Sequence, residues 1–326
     1  MKFAILGAGG IARTMASTVV PMKEICKKAV AARDYDRAES FAKEYGFEKA
    51  YGSYEEMLAD PEIDLVYIAV PHSHHCQWTK AALEAGKNVL CEKAFAVNEK
   101  QAKEMIDLAR SKNLLLTEAI WTRYMPSRQM ILDIIDSGII GEVTSVSANL
   151  GYQIDAKERI VRPELAGGAL LDLTVYPLNF ASMVLGDDIV KIDASCVKTE
   201  TGVDGMDTVM LTYKDGKMAT MFTTIYSLTD RSGYIYGRNG YIEVQNINNP
   251  EVIRVWDANR SCRNVIAEYK VPEQITGYEY EVLACKKALE EGRIECPEMP
   301  HEETLKMMNW MDQIRAQFGI VFPGIE

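Results

Sequence analysis

The chain has 326 residues, 48% hydrophobic and 25% charged, with 47 acidic against 36 basic side chains and a formal net charge of −11. That length exceeds one ordinary hydrophobic core and predicts two domains, while the composition is globular and excludes disordered, collagenous and coiled-coil classes. The acidic balance argues against nucleic acid, whose backbone calls for clustered Lys and Arg. Apolar runs such as Leu65–Val70 fall far short of the ~20 residues that span a bilayer, so no membrane partner is expected.

The chain begins Met1-Lys2-Phe3-Ala4-Ile5-Leu6 and turns Gly-rich at once, which reads as a first strand over Phe3–Leu6 and not as a signal peptide. A helix follows from Ile11, then a strand at Ala29–Ala32 and a helix at Arg37–Tyr45. Leu65–Val70 is a continuous apolar strand closed by Pro71. Thr79–Ala85 reads as a helix capped by Gly86, Asn88–Cys91 as a strand, Glu99–Arg110 as a helix and Leu114–Thr117 as a strand. Strands alternating with helices in this way predict a doubly wound parallel α/β domain over residues 1–120.

Beyond Tyr124 the pattern changes. Pro126 opens a helix to Asp136, and one long helix is expected over Ala169–Leu185, kinked at Pro177. The remainder is mostly strand: Val143–Leu150, Ile189–Val197, Thr208–Tyr213, Met218–Ile225, Tyr234–Gly237, Tyr241–Val244 and Val252–Trp256. Short Gly- or Asp-bearing turns link them, which predicts a large, mostly antiparallel open sheet in an α+β domain over 121–326. Helices near Gly277–Glu291 and Glu302–Phe318 close the chain.

Seven cysteines, Cys26, Cys76, Cys91, Cys196, Cys262, Cys285 and Cys296, are scattered and form no CxxC pair. Free thiols and a cytoplasmic location are the expectation. Cys76 lies near His72, His74 and His75, but no second ligand cluster accompanies it and no metal is expected.

The strongest local signal is Gly7-Ala8-Gly9-Gly10-Ile11-Ala12, a G-x-G-x-x-A between strand and helix. Gly7 permits the tight turn, Gly9 admits a pyrophosphate against the backbone, and Ala12 lets helix and strand pack closely. The helix N-terminus at Gly10 and Ile11 then offers free N–H groups to the anion. At the end of the second strand stands Ala32-Arg33-Asp34, with Arg37 beyond. A guanidinium there suits the 2′-phosphate of NADP(H), whereas an acid suits the ribose of NAD(H). Arg33 and Arg37 favour NADP(H). Asp34 keeps NAD(H) open, unless it serves as a helix cap.

Pro71 with His75, and Gly86-Lys87-Asn88-Val89-Leu90-Cys91-Glu92-Lys93, match a P-x-x-x-H loop and a G-K-x-V-x-x-E-K-P strand end. In combination these motifs resemble the glucose-fructose oxidoreductase/inositol dehydrogenase/rhizopine-catabolism family. Glu118-Ala119-Ile120-Trp121-Thr122-Arg123-Tyr124-Met125-Pro126 and the run Arg162–Pro177 resemble its dihydrodiol and NADP-dependent D-xylose dehydrogenase branch. Gly138–Val143 matches the family's helix-to-strand junction. Two positions depart: Ala94 stands where the family has Pro, and Thr174 where it has Gly, the second reading as a change of little chemical meaning. If the family's strand end uses a cis peptide, Ala94 must adopt it or change the turn.

The resemblance implies hydride transfer between the cofactor and a sugar or cyclic diol, in a homodimer formed through exposed sheet faces. It assigns Gly7, Gly9, Gly10, Ile11, Ala12, Arg33, Arg37, Pro71, His75, Glu92 and Lys93 to the cofactor side. Lys93, at the carboxyl end of a strand, is also a catalytic candidate, beside the plainer reading of a solvated Lys. Asp172 and Tyr176 lie four apart on a helix and share a face. A phenol titrating near ~10 is a poor base at neutral pH, and a nearby ammonium such as that of Lys93 would correct this. Tyr176 is the candidate acid/base, with Asp172 orienting the substrate or Lys93. Trp121, Arg123 and Tyr124 are candidates to line the substrate site, as is Arg159 with Arg162. Two other classes stay open: a non-catalytic dinucleotide-sensing regulator and an NAD-dependent glycosidase.

Overall fold

The computed structural model describes residues 1–259 and 264–325; Cys262 lies outside the described residues. In the first part of the chain β1 (Lys2–Leu6), α1 (Gly10–Val19), β2 (Cys26–Ala31) and α2 (Tyr35–Tyr45) are followed by β3 (Lys49–Tyr51) and α3 (Tyr54–Leu58). Then come β4 (Leu65–Ile68), α4 (His72–Glu84), β5 (Asn88–Glu92), α5 (Glu99–Lys112) and β6 (Leu116–Ala119). The six strands form a parallel sheet in the order β3-β2-β1-β4-β5-β6, the doubly wound arrangement expected from the sequence. β1 and β4 are buried almost end to end, which is why they read as unbroken apolar runs.

The remaining elements are α6 (Pro126–Asp136), β7 (Val143–Gly151), α7 (Glu158–Val161), a π-helical segment at Leu170–Thr174 and α8 (Val175–Leu185). After them come β8 (Ile189–Lys198), β9 (Asp204–Tyr213), β10 (Met218–Thr224), β11 (Gly233–Gly237), β12 (Gly240–Val244), β13 (Val252–Asp257), β14 (Val265–Lys270), α9 (Glu279–Glu290) and α10 (His301–Phe318). The eight later strands form one sheet in the order β14-β13-β12-β11-β7-β10-β9-β8. Every neighbour pair in it is antiparallel except β7 with β10. Its inner face carries Val146, Leu150, Leu211, Ile235, Ile242 and Val255, all buried, with α8 packed across β7, β10 and β11. The other face alternates Ser, Thr, Met and aromatic residues.

The two compact units do not follow chain order. The first comprises Met1–Tyr124 and Gln274–Met308; the second comprises Met125–Glu273 and Asn309–Glu326. Gln274–Met308 joins the first unit because its polar groups complete that unit's edge. Leu116 N donates to Ile294 O at 3.0 Å, His301 Nε2 lies 2.8 Å from Leu116 O, and the Thr18 and Thr276 hydroxyls meet at 2.6 Å. A reading by sequence order places this segment with the later domain.

Candidate active site

In the first unit, the glycine turn after β1 is shaped by close backbone approach. Gly7 has φ +110°, and a Cβ there would lie 2.5 Å from the Ala69 carbonyl oxygen, so no larger residue fits without displacing the β4 end. Gly9 and Gly10 have open space where their side chains would be. Gly9 caps α1 without a side chain, no acidic residue occupies the first turn, and Ala12 is fully buried against the sheet. The result is a cradle open at a helix N-terminus, with the N–H groups of Gly10 and Ile11 in its first turn, and it fits a dinucleotide pyrophosphate.

At the end of β2 the structure decides what Asp34 does. Its carboxylate is the N-cap of α2, accepting from Asp36 N at 3.0 Å and Arg37 N at 3.4 Å. Arg33 and Arg37 are both exposed at this strand end, and each lies close enough to Tyr54 to act on it electrostatically. Arg37 also donates from Nη2 to Ala8 O.

The carboxyl ends of β4, β5 and β6 carry the next group. Pro71, with φ −61°, is the N-cap of α4, which starts at His72, seven residues ahead of the expected Thr79. The His-rich first turn lacks the apolar spacing that would have revealed it. His75 is buried, with Nδ1 2.8 Å from Ala94 O and Nε2 2.9 Å from Val70 O, and burial lowers its pKa to about 4. The ring is therefore neutral at pH 7 and, with one N–H, donates to one of these two carbonyls while it packs between the two strand-end loops.

Lys93 is half-buried directly after β5, and the Lys93–Ala94 peptide is cis, so Ala94 keeps that geometry without Pro. Three buried side chains hold three consecutive residues here. Glu92 Oε2 accepts from Lys93 N at 3.1 Å, His75 meets Ala94 O, and Glu118 Oε1 accepts from Phe95 N at 3.2 Å. Glu92 also accepts from the Tyr67 hydroxyl. The sequence motifs around these residues are thus the parts of one mount for Lys93.

Sequence reasoning missed the acidity of this mount. Burial pushes the Glu118 carboxyl up to about 7. It pushes Glu281 well above the usual carboxylate range, and Glu92 adds to the effect. Glu281 sits on α9, 189 positions from Glu92, and no spacing rule links the two.

Trp121, Arg123 and Tyr124, expected to line the substrate site, are all buried in the first unit. Trp121 stacks on Tyr278 at 4.1 Å between centroids with the rings 6° from parallel. Arg123 forms an ion pair with Glu303. The Tyr124 hydroxyl donates to Glu118 O at 2.8 Å and lies 2.7 Å from Thr117 Oγ1. Arg123 and Tyr124 are thus anchored within this unit by partners the sequence does not reveal.

In the second unit, Asp172 lies on the π-helical segment and Tyr176 in the first turn of α8, both buried. The expected uniform helix over Ala169–Leu185 is not uniform. Pro177 has no N–H to give and its ring presses on the preceding turn, and the widened π turn accommodates it. Arg159 Nη1 pairs with Asp172 Oδ1 at 2.9 Å. Arg162 pairs with Glu158 and Glu164 on its own surface turn. Gly167 and Gly168 are required by contact: a Cβ on Gly167 would meet Ile160 O at 2.4 Å, and one on Gly168 would meet Asp204 Oδ1 at 2.2 Å. Thr174 is buried and its hydroxyl bonds Asp207 and Thr223, so its replacement of Gly carries chemical meaning after all.

A family model described as an oxidoreductase family with an NAD-binding Rossmann fold matches residues 1–120, and the GFO/IDH/MocA C-terminal domain matches residues 129–243. The chain belongs to the GFO/IDH/MocA oxidoreductase family. It is 33% identical over 334 residues to trans-1,2-dihydrobenzene-1,2-diol dehydrogenase of Danio rerio, covering 99% of this chain and 98% of that one. It is 32% identical to D-xylose 1-dehydrogenase (NADP(+)) of Hypocrea jecorina, covering 100% of this chain and 94% of the relative. Among solved structures, a 3-ketoreductase from Actinomadura kijaniata, in complex with NADP and TDP-benzene, superposes with a TM-score of 0.89 at 23% identity, covering 97% of each chain. An aldose-aldose oxidoreductase from Caulobacter crescentus gives 0.86 at 20% identity, covering 98% of this chain and 97% of the other. At those identities the shared property is the fold. The chain is an enzyme of the GFO/IDH/MocA family, an oxidoreductase.

Proposed function

We propose that this oxidoreductase transfers a hydride between NADP(H) and the hydroxyl or carbonyl carbon of a sugar or cyclic diol. The observation that carries the reading is the end of β2. Asp34 spends its carboxylate on the α2 cap, so the acid that would take a ribose 2′-hydroxyl is engaged, while Arg33 and Arg37 stand beside it for a 2′-phosphate. Relatives matching over 99–100% of the chain are named as a diol and an NADP(+)-linked xylose dehydrogenase, which supports the same substrate class over a regulator or a glycosidase.

Gly7, Gly9, Gly10, Ile11 and Ala12 would hold the pyrophosphate, and Arg33 and Arg37 the 2′-phosphate. Bound there, the nicotinamide supplies or accepts the hydride. Tyr176 exchanges the substrate hydroxyl proton at Oη, taking it in oxidation and returning it in reduction. The Lys93 ammonium stabilises the alkoxide as charge develops on the substrate oxygen. Asp172, itself paired with Arg159, accepts from a neighbouring substrate hydroxyl and fixes its orientation.

The same reading places the enzyme in the cytoplasm as a homodimer. The six described cysteines are unpaired, which suits a reducing compartment. The outer face of the eight-stranded sheet presents Tyr234, Tyr236, Tyr241 and Trp256 in mutual ring contact, with Met218 and Phe222 exposed on β10. Such an apolar patch favours a covering partner.

A panel of aldoses and cyclic diols, assayed with NADP⁺ and NAD⁺ for reduced nicotinamide, tests the proposal. Turnover of at least one class with NADP⁺ preferred is expected. No net reduction of either cofactor by any member would sink it.

A further inference from the structure

Below the π-helical segment, in the second unit, two aspartates from β9 lie side by side out of reach of water. Asp204 is 2% exposed and Asp207 1%. Asp204 Oδ2 accepts the N–H of Leu170, at the start of the helical run that bears Asp172 and Tyr176. Asp207 Oδ2 accepts from Thr174 Oγ1 at 2.8 Å, and Thr174 Oγ1 lies 2.6 Å from Thr223 Oγ1 of β10. The hydroxyl of Thr174 therefore ties the last π residue to the sheet, and Asp204 ties the first.

Proton counting constrains the pair. The Asp204 and Asp207 carboxyls lie close enough to act on each other, and Asp207 Oδ1 accepts from no N–H or O–H donor among the described residues. Two carboxylates in contact cannot both be charged away from water without a cation. Among the described residues no ion pair reaches either carboxylate: Cys196 and Lys198 lie on the neighbouring strand β8, opposite Asp207 and Asp204, and Tyr226 lies beside Gly205. The Lys198 ammonium is turned to Gly319 O at 3.1 Å. Asp204, which accepts the N–H of Leu170, holds the charge at the positive end of the helical run. Asp207 holds the proton and donates it to Asp204.

We infer that Asp204, Asp207 and Thr174 are positioning residues, a carboxyl–carboxylate pair and a hydroxyl that set the π turn between Asp172 and Tyr176. The inference deepens the proposed function, resting on Tyr176 and Asp172 as the groups that meet substrate. Asp204 also accounts for Gly168, since its carboxylate fills the space a side chain there would need. The network leaves the hydride chemistry to other groups and decides where two side chains point.

Thr174→Val keeps the shape and removes the hydroxyl, whereas Thr174→Ser keeps the hydroxyl. The Val variant should lose ~10-fold or more in kcat at an unchanged KM for NADP⁺, with faster hydrogen exchange at the amides of residues 170–176; Ser should restore both. Asp207→Asn replaces the acid by a neutral donor that cannot ionise. Burial and Asp204 raise the Asp207 pKa, so its contribution to stability is whole below the ordinary carboxyl range and is lost as pH rises toward its folded value. The melting temperature of the parent should therefore fall with rising pH relative to Asp207→Asn. A Val variant with parental exchange rates, or an Asn variant that tracks the parent at every pH, overturns the inference. If no substrate of the panel is turned over, the proposed function fails while exchange and melting still decide this network.

Discussion

Arg37 donates from Nη2 to the carbonyl oxygen of Ala8 at 2.7 Å, joining the first turn of α2 to the glycine turn after β1. The two arginines at this strand end therefore differ in what they support. Arg33→Ala should raise the KM for NADP⁺ roughly ten- to a hundredfold, the loss of a charge-assisted contact of ~1.5–3 kcal/mol, and leave that for NAD⁺ nearly unchanged. Arg37→Ala should weaken both cofactors, because it also loosens the turn that holds the pyrophosphate. Equal effects of Arg33→Ala on the two cofactors would remove the 2′-phosphate assignment.

Gly7 and Gly9 stand two residues apart and have opposite requirements. Gly7→Ala forces a Cβ to within 2.5 Å of the Ala69 carbonyl oxygen at φ +110°, and should cost ~2 kcal/mol or more of stability. Gly9→Ala meets nothing within 4 Å, so the protein should fold normally and lose nucleotide affinity instead. Thermal melts and dinucleotide titrations on both variants separate the effects. A Gly9→Ala protein that binds as tightly as the parent would place the pyrophosphate elsewhere.

What the sequence revealed, and what it hid, follows from the range of each interaction. β1 and β4 were legible because strands buried on both faces are continuous apolar runs, and the Gly7–Ala12 turn because its constraint is local. β3 and α3 were invisible at three and five residues, too short for any periodicity. β14 (Val265–Lys270) is a short edge strand, exposed along almost its whole length, with no alternation of buried and exposed positions to mark it. The strand at β9 is expected to begin at Thr208, since Asp204-Gly205-Met206-Asp207 has the composition of a turn; its two aspartates are inside because Leu170 N and Thr174 reach them from 34 and 33 positions away. In the same way nothing near Arg123 in the chain announces its partner, Glu303, 180 positions on. Motifs name the residues of a site, and only the fold says which face inward.

Glu118 should make stability depend on pH. Burial raises its carboxyl to about 7, with Glu92 raising it further and Thr304, Phe95 N and Arg123 opposing. An acid that holds its proton more tightly when folded contributes fully below its unfolded pKa of ~4.3 and loses that contribution as pH rises through about 7. Glu118→Gln cannot ionise and keeps an oxygen for the Phe95 N–H. Relative to the parent, the variant should gain ~1–3 kcal/mol between pH 5 and pH 8 in urea unfolding, the order set by a carboxyl shift of this size. A constant difference between the two proteins over that range would show that Glu118 is ionised throughout.

Tyr176 and Lys93 are proposed to act on one substrate oxygen, and kinetics can test that without reference to distance. Tyr176→Phe keeps the buried ring and removes only the exchanging hydroxyl, so nucleotide binding should survive while turnover falls ~10²–10⁴-fold. Lys93→Met should cause a comparable loss, because the alkoxide then develops without a cation. If the two groups serve one proton transfer, the double variant should be little worse than either single one, since residues that work as a unit are strongly non-additive. The limb of the pH–rate profile that belongs to the phenol should vanish in Tyr176→Phe and stay in Asp172→Asn, whose loss should fall on substrate KM as well as on kcat. Near-normal turnover in Tyr176→Phe, with an unchanged profile, would make Tyr176 a packing residue of α8. His75 would then be the next candidate, as a weak base, since burial lowers its pKa to about 4.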